Sequence, residues 1–200
     1  MVLKWLAMLL LGFLAVAAQA QEGIVPGCSL EGVTLGMPRT DVWKHIGKPN
    51  EIHSYRFANQ SYIEEYRQDN QQIDMVILRE GKVVQVQRDL IHNNPVMVTF
   101  SSIRRQHPHL KIRFYDHGGD VGSDLLLDDI QHGIAWKIYI WHEEFTYLHS
   151  FSKSEANWVI IHRPGQPALP SVGQKPIINA LLLHNLRAWF AAKPQAQKGN

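Results

Sequence analysis

The stretch from Ile73 to Val86 constrains the fold more than any other part of the chain. Ile73-Asp74-Met75-Val76-Ile77-Leu78 runs into Arg79-Glu80-Gly81-Lys82 and returns as Val83-Val84-Gln85-Val86. Two β-branched runs flanking a glycine-bearing turn are the pattern of an antiparallel hairpin, because branched side chains suit a pleated surface and glycine accepts the turn's backbone angles. A strand-like segment over 60–67, with Tyr62, Ile63 and Tyr66 among charges, lies just before it.

A short helix precedes these strands. Pro38 suits a first helical position, Val42, Trp43 and Ile46 recur at helical spacing, Gly47 offers a left-handed cap and Pro49 prevents continuation. The first half therefore reads as helix, strand, strand, turn, strand. The second half opens in the same way. Ser101 to Gln106 is a capped helical turn stopped by Pro108, Leu110 to Tyr115 is strand-like, and residues 116–124 form a Gly/Asp loop. Ile134, Trp136, Ile138 and Ile140 then alternate along one face of a strand, and Trp158 to His162 supplies another. Sequence identity between the halves is too faint to establish a repeat.

The ends of the chain read differently. Lys4, the apolar run from Trp5 to Val16 and Ala18-Gln19-Ala20 make residues 1–20 a secretory signal peptide, cut after Ala20, with too short a run to span a bilayer. Residues 21–32 read as a flexible arm, 164–176 as a Pro-rich linker whose four prolines cannot build a ladder, and 177–193 as an amphipathic helix. Between them lie two units, 33–94 and 95–163. Losing Lys4 with the signal leaves 19 basic against 18 acidic residues. That balance argues against nucleic acid, which demands a concentrated basic patch. Cys28 is the sole cysteine, so no internal disulfide is available and stability must come from packing. Gly27-Cys28 resembles the end of a lipid-attachment site, but Pro26 and the distance from the apolar run favour a buried or inert thiol.

Eleven histidines invite a metal reading, centred on His107, His109, Asp116, His117 and His132 in the region 107–132. His107 and His109 would project in opposite directions along an extended chain, which disfavours them as a pair. The loop Asp116 to Asp124 lacks the ligand spacing and closing Glu of an EF-hand. Asp128 and Asp129 are expected to face solvent. Glu143 and Glu144, beside His142, point to opposite faces if extended, so a shared acid/base site is not expected. No Gly-x-Ser-x-Gly elbow or phosphate loop is present, and no residue is assigned as catalytic, cofactor-binding or metal-binding.

Residues 33–86 resemble the helix-then-sheet module of the SmpA/OmlA (BamE-like) family, which shares the fold of the β-lactamase inhibitor protein. The likeness rests on Leu35-Gly36-Met37, the helix entry at Pro38 to Val42, Ile46-Gly47-Lys48-Pro49, Tyr62 to Tyr66 and Glu80-Gly81-Lys82-Val83-Val84. It implies an α+β fold with short helices packed on one face of antiparallel sheet, and 95–163 would complete two tandem similar modules. It also implies a function: an exported, non-enzymatic protein-binding module of the bacterial cell envelope, without a cofactor, whose partner is another envelope or secreted protein. Trp136 and Trp141 lie on opposite strand faces, so one should be core and the other an anchor. The competing reading is a periplasmic metal- or small-molecule-binding protein or enzyme built on 107–132.

Overall fold

The computed structural model describes residues 23–68, 73–90, 98–116, 122–141 and 155–176, with the side chains of 122, 140 and 141 excepted. The signal segment expected over 1–20, His117, the pair Glu143 and Glu144, and the helix expected over 177–193 lie outside them.

Strands dominate the described residues. β1 (Ile24–Val25), β2 (Ser29–Leu30) and β3 (Val33–Thr34) form a three-stranded sheet where a flexible arm was expected. α1 (Arg39–Ile46) follows, and its end is fixed by Gly47, whose φ of 82° lets its N–H reach the Trp43 carbonyl at 3.1 Å. Next come β4 (Glu51–Phe57), β5 (Gln60–Tyr66), β6 (Met75–Arg79) and β7 (Lys82–Asp89). Two of their turns, at Ala58-Asn59 and Glu80-Gly81, have positive φ at both positions, the twist that matches adjoining antiparallel strands. α2 (Phe100–Gln106) is capped by Thr99, whose side chain accepts the Ser102 amide. It leads into β8 (Lys111–Asp116), β9 (Gly122–Asp129), β10 (Ile134–Trp141), β11 (Trp158–His162) and β12 (Lys175–Pro176).

Nine of these strands make one antiparallel sheet in the order β12-β8-β9-β10-β11-β7-β6-β5-β4. Its seam is the pairing of β11 with β7, where Val159, Ile160 and Ile161 face Arg88, Gln87 and Val86. The α+β expectation is thus corrected: this is a mostly β protein with two short helices among the described residues, and 33–94 and 95–163 share one continuous sheet instead of standing as separate modules. The physical reason is that β7 and β11, both largely buried, pair over five residues and so satisfy each other's open edges. One core cluster spans both parts, from Val42, Val76 and Val86 to Phe100, Leu125, Trp136 and Ile161.

The sheet face opposite the helices is covered as well. Residues 166–174 cross it as a strap. Ala168 packs with Tyr115, Leu126, Ala135 and Ile160, and Leu169 against Tyr62, Met75 and Ile77. Within three residues the strap reaches both flanks of the sheet, since Arg113 of β8 donates to the Ala168 carbonyl at 3.0 Å and Tyr55 of β4 to that of Pro170 at 3.1 Å. On a flat sheet β8 and β4, seven strand spacings apart, would be separated by about 34 Å. The sheet must therefore curl around the strap. The Pro-rich segment read as a linker is thus pinned to the sheet at its centre, where Ala168 and Pro170 are buried and side chains of the sheet meet the backbone of Ala168, Leu169 and Pro170, while the residues on either side stay largely exposed. No helix among the described residues is long and apolar enough to cross a membrane.

Candidate functional site

Strand alternation sends two sets of side chains from β9 to opposite faces. Leu125 and Leu127 join the large core beneath the helices, and Asp129, two residues on, shares their face at the strand's end. The turn that follows, Ile130 to Gly133, is folded back so that the amides of His132 and Gly133 both donate to the Asp129 carbonyl, at 3.2 and 2.9 Å. This places His132 Nδ1 2.8 Å from Asp129 Oδ2. From the other side comes His107, the residue that ends α2, with Nδ1 2.7 Å from the same oxygen. Trp136 of β10 packs on the His107 ring at 4.6 Å between centroids and holds its orientation.

The three side chains offer donor atoms that all lie within 4.8 Å of one another. Burial pushes the Asp129 carboxyl up, but hydrogen bonds from His107, His132 and the His132 backbone outweigh it and hold the group below its ordinary value. The cluster is closed on the protein side, where the Asp129 side chain is 8% exposed, and open to water at His132, 62% exposed. Such a set can share protons in a hydrogen-bonded triad, or it can ligate a cation through two imidazoles and a carboxylate.

Of the histidine-rich candidates, the structure brings His107 and His132 together. His109 and Asp116 stand apart from that group, Asp116 closing β8 opposite Lys175. Asp128 and Asp129, expected at the surface, are buried at 0% and 6% exposure. Asp129 is the functional residue that sequence reasoning missed. Its one signal was spacing, three residues before His132, which a tight turn converts into contact. Cys28, read as buried or inert, is exposed. Trp136 is the core member of its pair, while the Trp141 side chain lies outside the described residues.

The strap face carries a second polar set. Asp128 accepts from Arg113 and from the Ala168 amide, and His162 Nε2 lies 2.9 Å from its other oxygen. Glu64 receives the Val172 amide at 3.2 Å, and desolvation raises its carboxyl above the usual range. Asp74 is raised further, to about 6, because burial outweighs a hydrogen bond from Gln87 and the charge of Lys137. These groups mostly fasten the strap. A pocket of about 30 Å³ beside it, lined by Tyr62, Gln85, His162 and Leu169 among others, holds roughly one water and not a metabolite.

The last feature is the sheet edge. β4 runs seven residues without proline and pairs with β5 alone. Its two-residue turn fixes which backbone groups face β5, and alternation directs those of Ile52, Ser54 and Arg56 outward. Ile52 is 51% exposed.

The chain matches no protein-family model and no curated protein. Among solved structures it is similar to a cysteine-rich secretory protein from Staphylococcus aureus subsp. aureus Mu50, at 14% identity and a TM-score of 0.38. The match covers 84% of this chain, which spans 62% of the length of that one. The SmpA/OmlA resemblance is thereby corrected: no match to that family supports it, and β4 to β7 belong to a sheet that continues through β11 to β12. The residues that carried the likeness are those any tight helix-to-strand turn and two-residue hairpin require.

Proposed function

We infer that this chain is an exported, non-enzymatic protein-binding module of the bacterial cell envelope, and that it captures an extended segment of its partner along β4. The observation that carries the reading is the open edge. A row of outward backbone groups on Ile52, Ser54 and Arg56 is a template for strand addition, in which main-chain hydrogen bonds supply affinity and flanking side chains supply selectivity. Many edges are blunted by proline or by an inward charge, and β4 has neither device, since its strap-side residues Tyr55 and Phe57 pack inward. Both faces of the sheet are occupied, one by the helices and one by the strap, which leaves its edges: β4 along its whole length and, at the other end, Lys111 to Phe114 of β8 beyond the two residues that β12 covers.

The test is Ser54→Pro. Proline at an outward-facing edge position removes one donor to the partner and no bond to β5, so the fold should hold. With the Tm within about 3 °C of wild type, a shift of roughly 1 kcal/mol at this size, partner retention from an envelope extract and protection of the Ile52 and Arg56 amides should both fall. Unchanged retention by a folded Ser54→Pro protein refutes strand addition at β4.

A further inference from the structure

We propose that His107, Asp129 and His132 form a binding site for a divalent transition metal of the zinc class, independent of the β4 edge. The three residues come from the end of α2, the end of β9 and the β9–β10 turn, so the fold and not local sequence assembles them. Both imidazoles already aim Nδ1 at one carboxylate oxygen, at 2.7 and 2.8 Å. Around a tetrahedral ion with bonds of about 2.1 Å, neighbouring donors sit about 3.4 Å apart. Opening the cluster by a little over half an ångström on each contact therefore makes room for the ion, and a turn with His132 largely in water can supply that movement.

The donor chemistry selects the ion. Two neutral imidazoles and one carboxylate suit zinc, nickel, cobalt or copper, whereas calcium and magnesium need six or more oxygens or a shell of retained waters. Supporting contacts are in place: Trp136 fixes the His107 ring, and the His132 amide lies 3.3 Å from Asp129 Oδ1, steadying the carboxylate. Three protein donors leave the fourth position on the exposed side of His132, where water or an outside donor completes the shell. A bound ion would join α2 to the β9–β10 turn and so stabilise the native chain by mass action.

The experiment uses untagged full-length protein stripped with chelator and titrated calorimetrically with zinc, nickel, calcium and magnesium chlorides at neutral pH. One zinc per chain is expected, with a rise in Tm and no response to calcium or magnesium. His132→Ala is the first variant because that side chain is exposed and its loss leaves the apo fold intact. It should weaken zinc roughly tenfold or more, as should His107→Gln, while His53→Ala, on the distant β4, should change nothing. Cobalt loading adds a second readout, since the visible band of a tetrahedral ion should appear in wild type and vanish in His132→Ala. No zinc binding, or binding of equal strength in wild type and both site variants, overturns the proposal and leaves the triad as a hydrogen-bonded cluster.

Discussion

Removing the Asp128 carboxylate should loosen the strap before it unfolds the protein. Asp128 is fully buried; its Oδ2 accepts from the Arg113 guanidinium and from the Ala168 amide at 3.0 Å, and the His162 ring lies 2.9 Å from Oδ1 without hydrogen-bond geometry. Asp128→Ala leaves the part-buried Arg113 guanidinium without its carboxylate, which costs at most the roughly 3–5 kcal/mol of a fully buried pair, and strands an amide, worth about 1–3 kcal/mol. Both losses act through one group, and the Arg113 side chain keeps 25% of its exposure, so they do not add. The expected total is about 4 kcal/mol against a native stability of roughly 5–15 kcal/mol. At about 2–4 °C per kcal/mol for a chain of this size, Tm should fall by roughly 8–16 °C. Asp128→Asn keeps an acceptor for the Ala168 amide and nearly the same volume, so it should lose about half as much. The assay pairs urea unfolding with amide exchange at Ala168 and Leu169, which should lose protection ahead of the β10 amides. A loss under about 1 kcal/mol in Asp128→Ala, with the Ala168 amide still protected, would refute the claim that this carboxylate fastens the strap.

Two further outcomes follow from buried groups and close approaches. Asp74, with its carboxyl raised from 3.8 to about 6 chiefly by burial, holds its proton in the native state more tightly than in the unfolded one; its stabilising share is complete below about pH 4 and is lost as pH rises through 6, on the order of 3 kcal/mol. Urea midpoints measured from pH 4 to 7 should therefore decline less in Asp74→Asn than in wild type, and parallel curves would count against the assignment. Gly133 sits at φ 70° with space for a Cβ only 2.3 Å from the His162 carbonyl and 2.8 Å from the Gly27 Cα. Gly133→Ala should thus cost about 3 kcal/mol, from strain plus overlap, visible as a lower Tm, and an unchanged Tm would contradict the packing of that turn.

α1, the β6–β7 hairpin, β10 and β11 were legible in sequence because each carries apolar, largely β-branched residues where it meets the main core, and the strand residues on the strap side, Met75, Ile77, Ala135 and Ile160, are apolar as well. β9 and β4 were missed for opposite reasons. In β9, Leu125 and Leu127 enter the helix-side core while Asp124, Leu126 and Asp128 enter the strap side, all nearly fully buried. Polarity then no longer alternates with burial, and a run of aspartates reads as loop and solvent. β4 fails the other way, as an edge with Glu51 through Ser54 all exposed and only Tyr55 and Phe57 turned inward.

The same cause hid the histidine cluster. Its carboxylate was discounted as a surface residue because charge was taken to mean exposure, yet a buried acid is stable wherever partners saturate it, as two histidines and a turn amide do for Asp129. The strap explains why the sheet can tolerate so many such groups. A Pro-rich segment brings unpaired carbonyls and amides onto the concave face, and Arg113, Gln85, Glu64 and Asp128, together with the Tyr55 hydroxyl, meet them. Apolar residues at those four positions would leave the strap's backbone unsatisfied, so the polar character of that face follows from the segment that fills it.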